Sequence, residues 1–359
     1  MSLTFAATPN AAPLGAAERD AILANPGFGQ HMTDHMVRAT WRQGEGWGGA
    51  ELTAYGPIAL DPAAAVLHYA PEIFEGLKAY RHADGSVWTF RPDKNAERLQ
   101  ASARRMVLPE LPVEDFIESP RVLVEADEPW VPAAGDGEKS LYLRPFMFGS
   151  NAFLGLKPVI EATYMCIASP AASIFVGGPK PITLWICEDY ARAGAGGTGA
   201  AKCGGNYASA LRGQLEGAQN GCDQAIFLDS STHTYVDELG GMNVFFVTKD
   251  GKLVTPELTG TILPGITRMS VLELAKEFDL VAEERKVEIQ EWKDGVASGD
   301  ILEVFACGTA AIITPIGGLK GDGGPPPPAG GGGGGGGGRG GGGGAPPPPP
   351  RPPRGPHRR

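Results

Sequence analysis

The sequence predicts an α+β fold of two domains, and three features of the chain support this prediction. Runs typical of β-strands and runs with helical periodicity are both present, but they do not alternate strictly as in a doubly wound sheet. The first 320 residues are long enough for two domains of about 150 residues each. Small residues, Pro and Gly at 169–179 interrupt two strand-like runs. We therefore expect an N-terminal domain at 1–168, a linker at 169–179 and a C-terminal domain at 180–320.

Seven segments rich in Val, Ile, Thr and aromatic residues are predicted to be strands. They are HMVRATW from His35, SVWTF from Ser86, SLYLRPFMF from Ser140, VIEATYMCIA from Val159, ITLWICE from Ile182, QAIFLD from Gln224 and NVFFVTK from Asn243. Helical periodicity predicts three helices, at 93–106, 208–219 and 269–278, the last just after the Pro264-Gly265 turn.

The last 39 residues, 321–359, form a basic tail with a different composition. They hold 18 of the 53 Gly and 12 of the 32 Pro, and they lack Leu, Ile, Val and aromatic residues. The net charge of −10 divides into +4 for this tail and −14 for residues 1–320. A segment without apolar side chains cannot bury enough surface to offset chain entropy, so we predict that the tail is disordered.

The charge and cysteine content exclude several classes of protein. An acidic body argues against a nucleic-acid or membrane-surface partner, because phosphate binding requires clustered Lys and Arg. No run approaches the roughly 18 apolar residues of a transmembrane helix, and the N-terminus does not resemble a signal peptide. The five cysteines form no CxxC pair, which favours a reduced, cytoplasmic compartment. No metal site is expected, because the histidines lack metal-ligand spacing.

The run GAGGTG at 194–199 matches the GxGxxG pattern of dinucleotide-binding loops, but its context is wrong. That pattern must directly follow a strand and begin a helix. Here the strand-like run ends at Glu188, DYARA intervenes, and two further glycines follow where a helix should start. We therefore expect a flexible loop beside a functional residue.

The neighbouring functional candidate is Lys202, which lies between small residues in AKCGGNY. A lysine in such a loop between a strand and a helix can be approached closely by a flat ligand. Desolvation there would lower its pKa and make the amine nucleophilic, as Schiff-base chemistry requires. The alternative is an ordinary solvated surface lysine, and this segment alone does not decide between the two.

Two turns could bind an anion. The Pro264-Gly265 turn precedes a predicted helix, so the amides of Ile266 and Thr267 would lie at a helix N-terminus suited to a phosphate. The turn at 308–311 offers a hydroxyl and free amides after the strand-like LEVFAC. Both turns could equally be ordinary caps.

Three polar side chains have alternative interpretations. Glu238 precedes a strongly apolar strand and could face a pyridine nitrogen, or could be a solvated turn acid. Tyr142 and Arg144 alternate with leucines in a predicted strand, so both point to one face. They suit a carboxylate substrate, although a salt bridge on an edge strand explains them equally well.

Seven segments taken together carry a resemblance to a known family. They are FEGLKAYR (74–81), RPDKNAERLQASARRM (91–106), LYLRPFMF (141–148), AKCGGNYASAL (201–211), DELGGMNVFFV (237–247), GTILPGITR (260–268) and EVFACGTAAIITP (303–315). Their order and spacing, from about Phe28 to Ile316, resemble those of branched-chain amino acid aminotransferases, which are fold type IV pyridoxal-phosphate enzymes. The resemblance implies a two-domain fold with the active site at the domain interface.

The resemblance implies roles for residues around the cofactor, pyridoxal 5′-phosphate. Lys202 would bind it as a Schiff base and shuttle the proton between Cα of the substrate and C4′ of the cofactor. Tyr207 would hydrogen-bond its phenolic oxygen, and Glu238 would pair with the protonated ring nitrogen, which keeps the ring an electron sink. The implied phosphate ligands are Arg98, Ile266, Thr267 and Thr309.

The resemblance also implies a substrate site and a reaction. The residues that resemble the apolar wall for Leu, Ile and Val side chains are Phe28, Tyr69, Phe74 and Tyr142. Arg144 would take the distal carboxylate of glutamate, and the Thr309-Ala310 turn would take the α-carboxylate. The implied reaction is a ping-pong transfer of the amino group to 2-oxoglutarate. The family is usually homodimeric, with the loop around Leu154, Gly155 and Leu156 directed at the neighbour's site.

The chain departs from the family pattern near Gly318. The family normally continues there through a strand, a helix and an aromatic-containing end, whereas this chain continues into poly-Gly and poly-Pro. Because Gly, Pro, Ala and Arg have GC-rich codons, we interpret the tail as the product of a reading-frame shift. The alternatives are another fold type IV enzyme, such as a D-amino acid or amine transaminase or aminodeoxychorismate lyase, and an inactive, poorly folded chain. A polyproline ligand at 346–354 is a further possibility.

Overall fold

The computed structural model of the protein describes residues 2–135, 139–172 and 180–321. Within this part of the chain, two eight-stranded sheets are present, one before residue 172 and one after residue 180. The part of the predicted linker at 173–179 lies outside the described residues. The same holds for the predicted tail from residue 322 onward, which includes the polyproline segment.

The first sheet is almost entirely antiparallel. The elements of this half are β1 (Ala6–Ala7), α1 (Ala16–Ala24), β2 (His35–Arg42), β3 (Gly46–Ala54), α2 (Ala65–Tyr69), β4 (Glu72–Phe74), β5 (Leu77–Arg81), β6 (Val87–Thr89), α3 (Pro92–Met106), α4 (Val113–Ala126), β7 (Ser140–Gly149) and β8 (Glu161–Ala171). The strand order is β1-β3-β2-β8-β7-β5-β6, with β4 also paired to β7, and β1 with β3 is parallel. Along β7 buried and half-buried residues alternate, so Tyr142 and Arg144 share one face.

Helices α3 and α4 pack on this sheet through a narrow apolar stripe. Leu99 and Ala103 lie one turn apart in α3 and are fully buried together with Phe116 of α4 and Ile73 of β4. Pro92 occupies the first position of α3, where its missing N–H would have had no partner within the helix. This packing fixes α3 next to β4, and both elements contribute to the candidate site.

The second sheet is mixed and surrounds its own core. Its elements are β9 (Ile182–Cys187), α5 (Gly204–Gln219), β10 (Gln224–Leu228), β11 (Val236–Leu239), β12 (Asn243–Thr248), β13 (Lys252–Pro256), α6 (Ile266–Leu274), β14 (Val281–Arg285), α7 (Ile289–Ser298), β15 (Ile301–Gly308) and β16 (Ile312–Lys320). The strand order is β11-β10-β9-β16-β15-β12-β13-β14. Strand β9 is parallel to both neighbours, and β13 is parallel to β14. The core includes Leu184, Phe246, Val304 and Trp292 of α7.

The predicted α+β class is confirmed, and every predicted strand and helix is present with small changes at the ends. The third predicted helix spans Ile266–Leu274 instead of 269–278, and a 3-10 helix follows at Ala275–Phe278. The second predicted helix begins at Gly204 instead of 208. The reason is nonlocal, because the amide of Gly204 donates to the carboxylate of Glu72 in the first sheet. The division into domains at 168 and 180 stays a prediction, although β8 ends at Ala171 and β9 begins at Ile182.

Among the described residues, no helix has both the length and the apolar character needed to cross a membrane.

Candidate active site

Lys202 lies two residues before α5, and its backbone is held by hydrogen bonds from two other elements. Its amide donates to the Ser102 hydroxyl of α3 at 2.9 Å, and its carbonyl accepts from the Phe74 amide of β4 at 2.9 Å. Its Nζ donates to the Tyr207 hydroxyl at 2.7 Å. Burial, assisted by the positive charge of Arg98, lowers the Lys202 pKa to about 7. The amine is therefore partly neutral, and hence nucleophilic, near neutral pH.

Two aromatic rings form a wall next to this amine. Nζ of Lys202 lies 4.8 Å from the centre of the Phe74 ring and 5.2 Å from that of Tyr207. The two rings are 5.0 Å apart. Burial raises the pKa of Tyr207 to about 12, so its hydroxyl keeps its proton at neutral pH. The pair provides an apolar surface with one hydroxyl at its edge, which suits a flat ring with a polar substituent.

Glu238 of β11 is a buried carboxylate, 1% exposed. Its Oε1 accepts from the Leu263 amide at 2.8 Å, and its Oε2 accepts from the Asn243 side-chain amide at 3.4 Å. Burial raises the pKa of Glu238 to about 7, although the charge of Arg192 opposes this change. Such a carboxyl group can accept or share a proton with a ligand at neutral pH.

Arg192 is a part of this site that the sequence reasoning missed. Its Nη1 lies 2.9 Å from Oε1 of Glu238 and donates to the Thr261 carbonyl at 3.2 Å. Its Nε is buried and has no hydrogen-bond partner among the described residues. The sequence gives little indication of this role, because Arg192 stands in DYARA, the segment between the strand-like run and GAGGTG. A buried Glu238 does require a counter-charge, and Arg192 supplies it.

The GAGGTG segment adopts neither helix nor strand, in agreement with its predicted loop. Arg105 of α3 donates to the carbonyls of Gly196 and Gly197 at 3.0 and 3.1 Å. A Cβ at Gly199 would collide with the Thr261 backbone, which is also the acceptor of Arg192. The loop therefore packs against the segment that supports Glu238.

Arg98 of α3 forms a buried ion pair with Glu75, a second residue that the sequence reasoning missed. Nε and Nη2 of Arg98 each donate to a different oxygen of Glu75 at 2.8 Å, and Nη1 donates to the Pro264 carbonyl at 3.1 Å. Asn95 donates to the same Glu75 carboxylate at 2.7 Å. Glu75 stands inside FEGLKAYR, but its pairing depends on the packing of β4 against α3. Arg98 thus joins the first sheet to the turn before α6.

The N-terminus of α6 begins directly after that turn. Gly265 provides no side-chain cap, and a Cβ there would collide with the Asn243 side chain. A cavity of about 580 Å³ lies beside this helix end, and Ile266, Thr267 and Thr309 are part of its wall. The two predicted anion-binding turns are therefore adjacent in space.

Lys78 of β5 crosses to the second of these turns. Its Nζ donates to the Ala310 carbonyl at 2.9 Å. Lys78 is buried, so this charge-assisted bond fixes the β15–β16 turn relative to the first sheet. The Thr309-Ala310 turn is thereby attached to β5.

Of the predicted substrate residues, Phe28, Phe74, Tyr142 and Arg144 form a series of contacts that reaches the Lys202 amine. Nη2 of Arg144 donates to the Tyr142 hydroxyl at 3.1 Å, and its guanidinium carbon lies 4.8 Å from the centre of the Phe74 ring. The Phe28 ring packs edge-on against Tyr142 at 5.0 Å. Nε of Arg144 is buried and lacks a hydrogen-bond partner among the described residues. The chain of contacts from Phe28 to Lys202 is continuous.

Tyr69 is placed differently from the other predicted substrate residues. It lies at the end of α2, is 41% exposed, and donates its hydroxyl to the Leu154 carbonyl at 2.7 Å. That bond joins Tyr69 to an exposed loop and not to the Phe28–Tyr142–Arg144 cluster. In the same loop Leu156 is 87% exposed.

Comparisons with known proteins agree on one family. The model of the amino-transferase class IV family matches residues 72–318. The branched-chain-amino-acid aminotransferase of Mycolicibacterium smegmatis is 55% identical over 321 residues, 89% of this chain and 87% of that protein. The probable branched-chain-amino-acid aminotransferase of Streptomyces coelicolor is 55% identical over 317 residues, 88% of this chain and 87% of that protein.

Solved structures give the same result. The Escherichia coli branched-chain amino acid aminotransferase superposes with a TM-score of 0.65 at 27% identity, covering 81% of this chain and 90% of that chain. The branched-chain amino acid aminotransferase of Thermobaculum terrenum, solved in its PLP-bound holo form, has a TM-score of 0.62 at 26% identity, with coverages of 79% and 85%.

Proposed function

The chain belongs to the class IV aminotransferase family and is a branched-chain-amino-acid aminotransferase, and from this premise we propose its substrates, cofactor and mechanism. It transfers the amino group of leucine, isoleucine or valine to 2-oxoglutarate in a ping-pong reaction that uses pyridoxal 5′-phosphate. The observation that carries this proposal is the Lys202 amine, with a pKa of about 7, between Tyr207 and the Arg144 cluster.

The donor set around Lys202 fits pyridoxal phosphate. Glu238 is buried with a pKa of about 7, as expected of a carboxylate that pairs with a protonated pyridine nitrogen. Arg192 holds that carboxylate and keeps an unpartnered Nε beside it. The Tyr207 hydroxyl, which lies 2.7 Å from Nζ of Lys202, would donate to the phenolic oxygen of the cofactor. Glu238 and Tyr207 thus match two different polar positions of one aromatic ring, its nitrogen and its phenolic oxygen.

The opposite end of the site suits the phosphate. We assign it to Arg98, to the amides of Ile266 and Thr267, and to the Thr309 hydroxyl. A helix N-terminus without a side-chain cap leaves its first amides and its dipole available to an anion. Glu75 orients Arg98 through two bonds, so the guanidinium enters the site already fixed.

Proton transfer is assigned to Lys202. When bound, the cofactor supplies an electron sink for the charge that develops at Cα of the substrate. Nζ of Lys202 would remove the proton from Cα of the substrate and later deliver a proton to C4′ of the cofactor. A base with a pKa near 7 balances the fraction of free amine against its strength as a proton acceptor. Tyr207 fixes the position of Nζ through the 2.7 Å hydrogen bond.

One site must accept an apolar and a charged side chain in turn. We assign the apolar wall to Phe28, Tyr69, Phe74 and Tyr142, and the distal carboxylate of glutamate to Arg144. The Arg144 guanidinium stacks on the Phe74 ring, so an apolar substrate meets ring faces and a dicarboxylate meets the charged edge. The α-carboxylate is assigned to the turn that contains Ala310.

Two further proposals concern the assembly and the compartment. A homodimer is supported by the exposed apolar loop around Leu154 and Leu156, whose side chains are 66% and 87% exposed. A cytoplasmic compartment is supported by five free, buried cysteines, which are typical of a reducing environment.

The test uses full-length protein loaded with pyridoxal phosphate. We expect visible absorbance from the lysine-bound cofactor and formation of glutamate from leucine and 2-oxoglutarate, and we expect Lys202→Ala to lose both. Turnover of D-alanine alone would reject the branched-chain substrates. Absence of absorbance together with a low unfolding temperature would support an inactive, poorly folded chain instead.

A further inference from the structure

Strand β4 runs along the segment that carries Lys202. Phe74 and Glu72 are two residues apart in β4 and therefore lie on one face, whereas Ile73 between them is fully buried on the other. The Phe74 amide donates to the Lys202 carbonyl at 2.9 Å, and the Glu72 carboxylate accepts from the Gly204 amide. The backbone on both sides of Cys203 is thus attached to one short strand.

Glu72 takes the place of an N-cap for α5. The residue at the cap position, Cys203, makes no side-chain cap hydrogen bond. A carboxylate from a strand 132 residues away in sequence supplies that contact, and its negative charge is also favourable at the positive end of the helix. A Cβ at Gly204 would collide with Oε1 of Glu72, so the close approach requires glycine there.

Glu72 and Arg144 project from the same face of the first sheet, because Glu72 pairs with Phe148 and Phe74 pairs with Phe146, four and two residues along β7 from Arg144. Burial raises the pKa of Glu72, while the Gly204 amide and the positive charge of Arg144 act in the opposite direction. The Arg144 guanidinium stacks against Phe74, which is the next residue on the Glu72 face of β4. Glu72 therefore connects the lysine segment with the residue assigned to the distal carboxylate.

We propose that Glu72 is a positioning and specificity-determining residue: it holds the backbone after Lys202, and it provides the counter-charge of Arg144 when an apolar side chain occupies the site. The inference rests on the proposed function, because it needs Arg144 beside the substrate. A half-buried guanidinium next to a leucine side chain would otherwise be poorly compensated. A dicarboxylate substrate brings its own negative charge, which competes with Glu72 for Arg144.

Glu72→Gln separates the two effects. Glutamine keeps an oxygen that can accept from Gly204 but removes the charge, so Arg144 becomes more attractive to a dicarboxylate and less favourable for leucine. We expect the ratio of kcat/KM for leucine to that for glutamate, each measured in its own half-reaction, to fall about three- to tenfold. This change should come mainly from the KM values for the two substrates and not from kcat. The matched control Glu125→Gln, at an exposed position of α4, should leave the ratio unchanged.

Two further variants keep the inference testable if Glu72→Gln folds poorly. Glu72→Asp retains the charge with a shorter reach, so it should lower kcat for both substrates but preserve the ratio. Glu72→Ala should lower both kcat and the ratio. The inference is overturned if Glu72→Gln leaves the ratio at its wild-type value, or if Glu72→Asp changes it as much as Glu72→Ala. Failure of the wild-type protein to turn over leucine would instead reject the proposed function.

Discussion

Replacing Lys202 with Met in the cofactor-free protein is expected to increase stability at neutral pH. The folded-state pKa of about 7 lies below the usual 10.5, so folding disfavours the protonated amine. This difference corresponds to about 5 kcal/mol at roughly 1.4 kcal/mol for each pH unit. Below pH 7 the amine is charged in both states and the full penalty applies. As pH rises from 7 to 10.5 only the unfolded state still binds the proton, so the penalty disappears.

Urea unfolding of wild-type and Lys202→Met protein at pH 7 and near pH 10 measures this effect. We expect the variant to be more stable by up to about 5 kcal/mol at pH 7, and the gap to shrink at the higher pH. Lys276→Met, at an exposed position, is the matched control and should show little difference at either pH. A gap of the same size at both pH values would refute the argument that burial lowers the pKa of this amine.

Three other substitutions test separate parts of the site. Arg192→Leu leaves Glu238 buried without its counter-charge, and urea unfolding should show a loss of about 3–5 kcal/mol in unfolding free energy. The control Arg121→Leu, at an exposed ion pair, should change the unfolding free energy by less than about 1 kcal/mol. Gly199→Ala forces a Cβ into the Thr261 backbone and should lower the unfolding temperature. The control Gly205→Ala places its Cβ in open space beside α5 and should raise the unfolding free energy by about 0.5–1 kcal/mol. Arg144→Gln should raise KM for glutamate at least tenfold and change KM for leucine much less; equal changes for both substrates in steady-state kinetics would contradict its assignment.

The fold could be predicted from local patterns because the strands and long helices have strong periodicity. Helix α3 shows this, since Leu99 and Ala103 occupy one face and are both buried. The start of α5 could not be predicted. Gly204 and Gly205 are poor helix formers, and the contact that begins the helix comes from Glu72 in another sheet. The nonlocal cap is accompanied by a glycine at the start of the helix, but that glycine does not identify the residue that provides the cap.

The candidate site shows the same limit for charged residues. Lys202 and Glu238 stand in distinctive local segments, and the sequence predicts both as site residues. The charge partners of Glu238 and Arg98 are not predicted, because Arg192 is 46 residues from Glu238 and Glu75 is 23 residues from Arg98. Pairing over such separations depends on which elements pack together. The need for some partner was foreseeable, since an unpaired buried charge is strongly unfavourable, but its identity was not.

Lys202 and Glu238, the two groups with a pKa near 7, make the cofactor-free site electrostatically unfavourable. Burial makes Lys202 a weak base and Glu238 a weak acid, so folding without a ligand disfavours the charged form of each. The charge of Arg192 offsets the penalty for Glu238, and the charges of Glu75 and Glu238 offset it for Lys202. Both offsets are partial, since both pKa values remain displaced. A protonated ring nitrogen would give the Glu238 carboxylate a further counter-charge, and attachment of the cofactor at the Lys202 amine would remove the buried ammonium group. The electrostatic penalty in the cofactor-free protein and the affinity of the site for its cofactor therefore have the same physical origin.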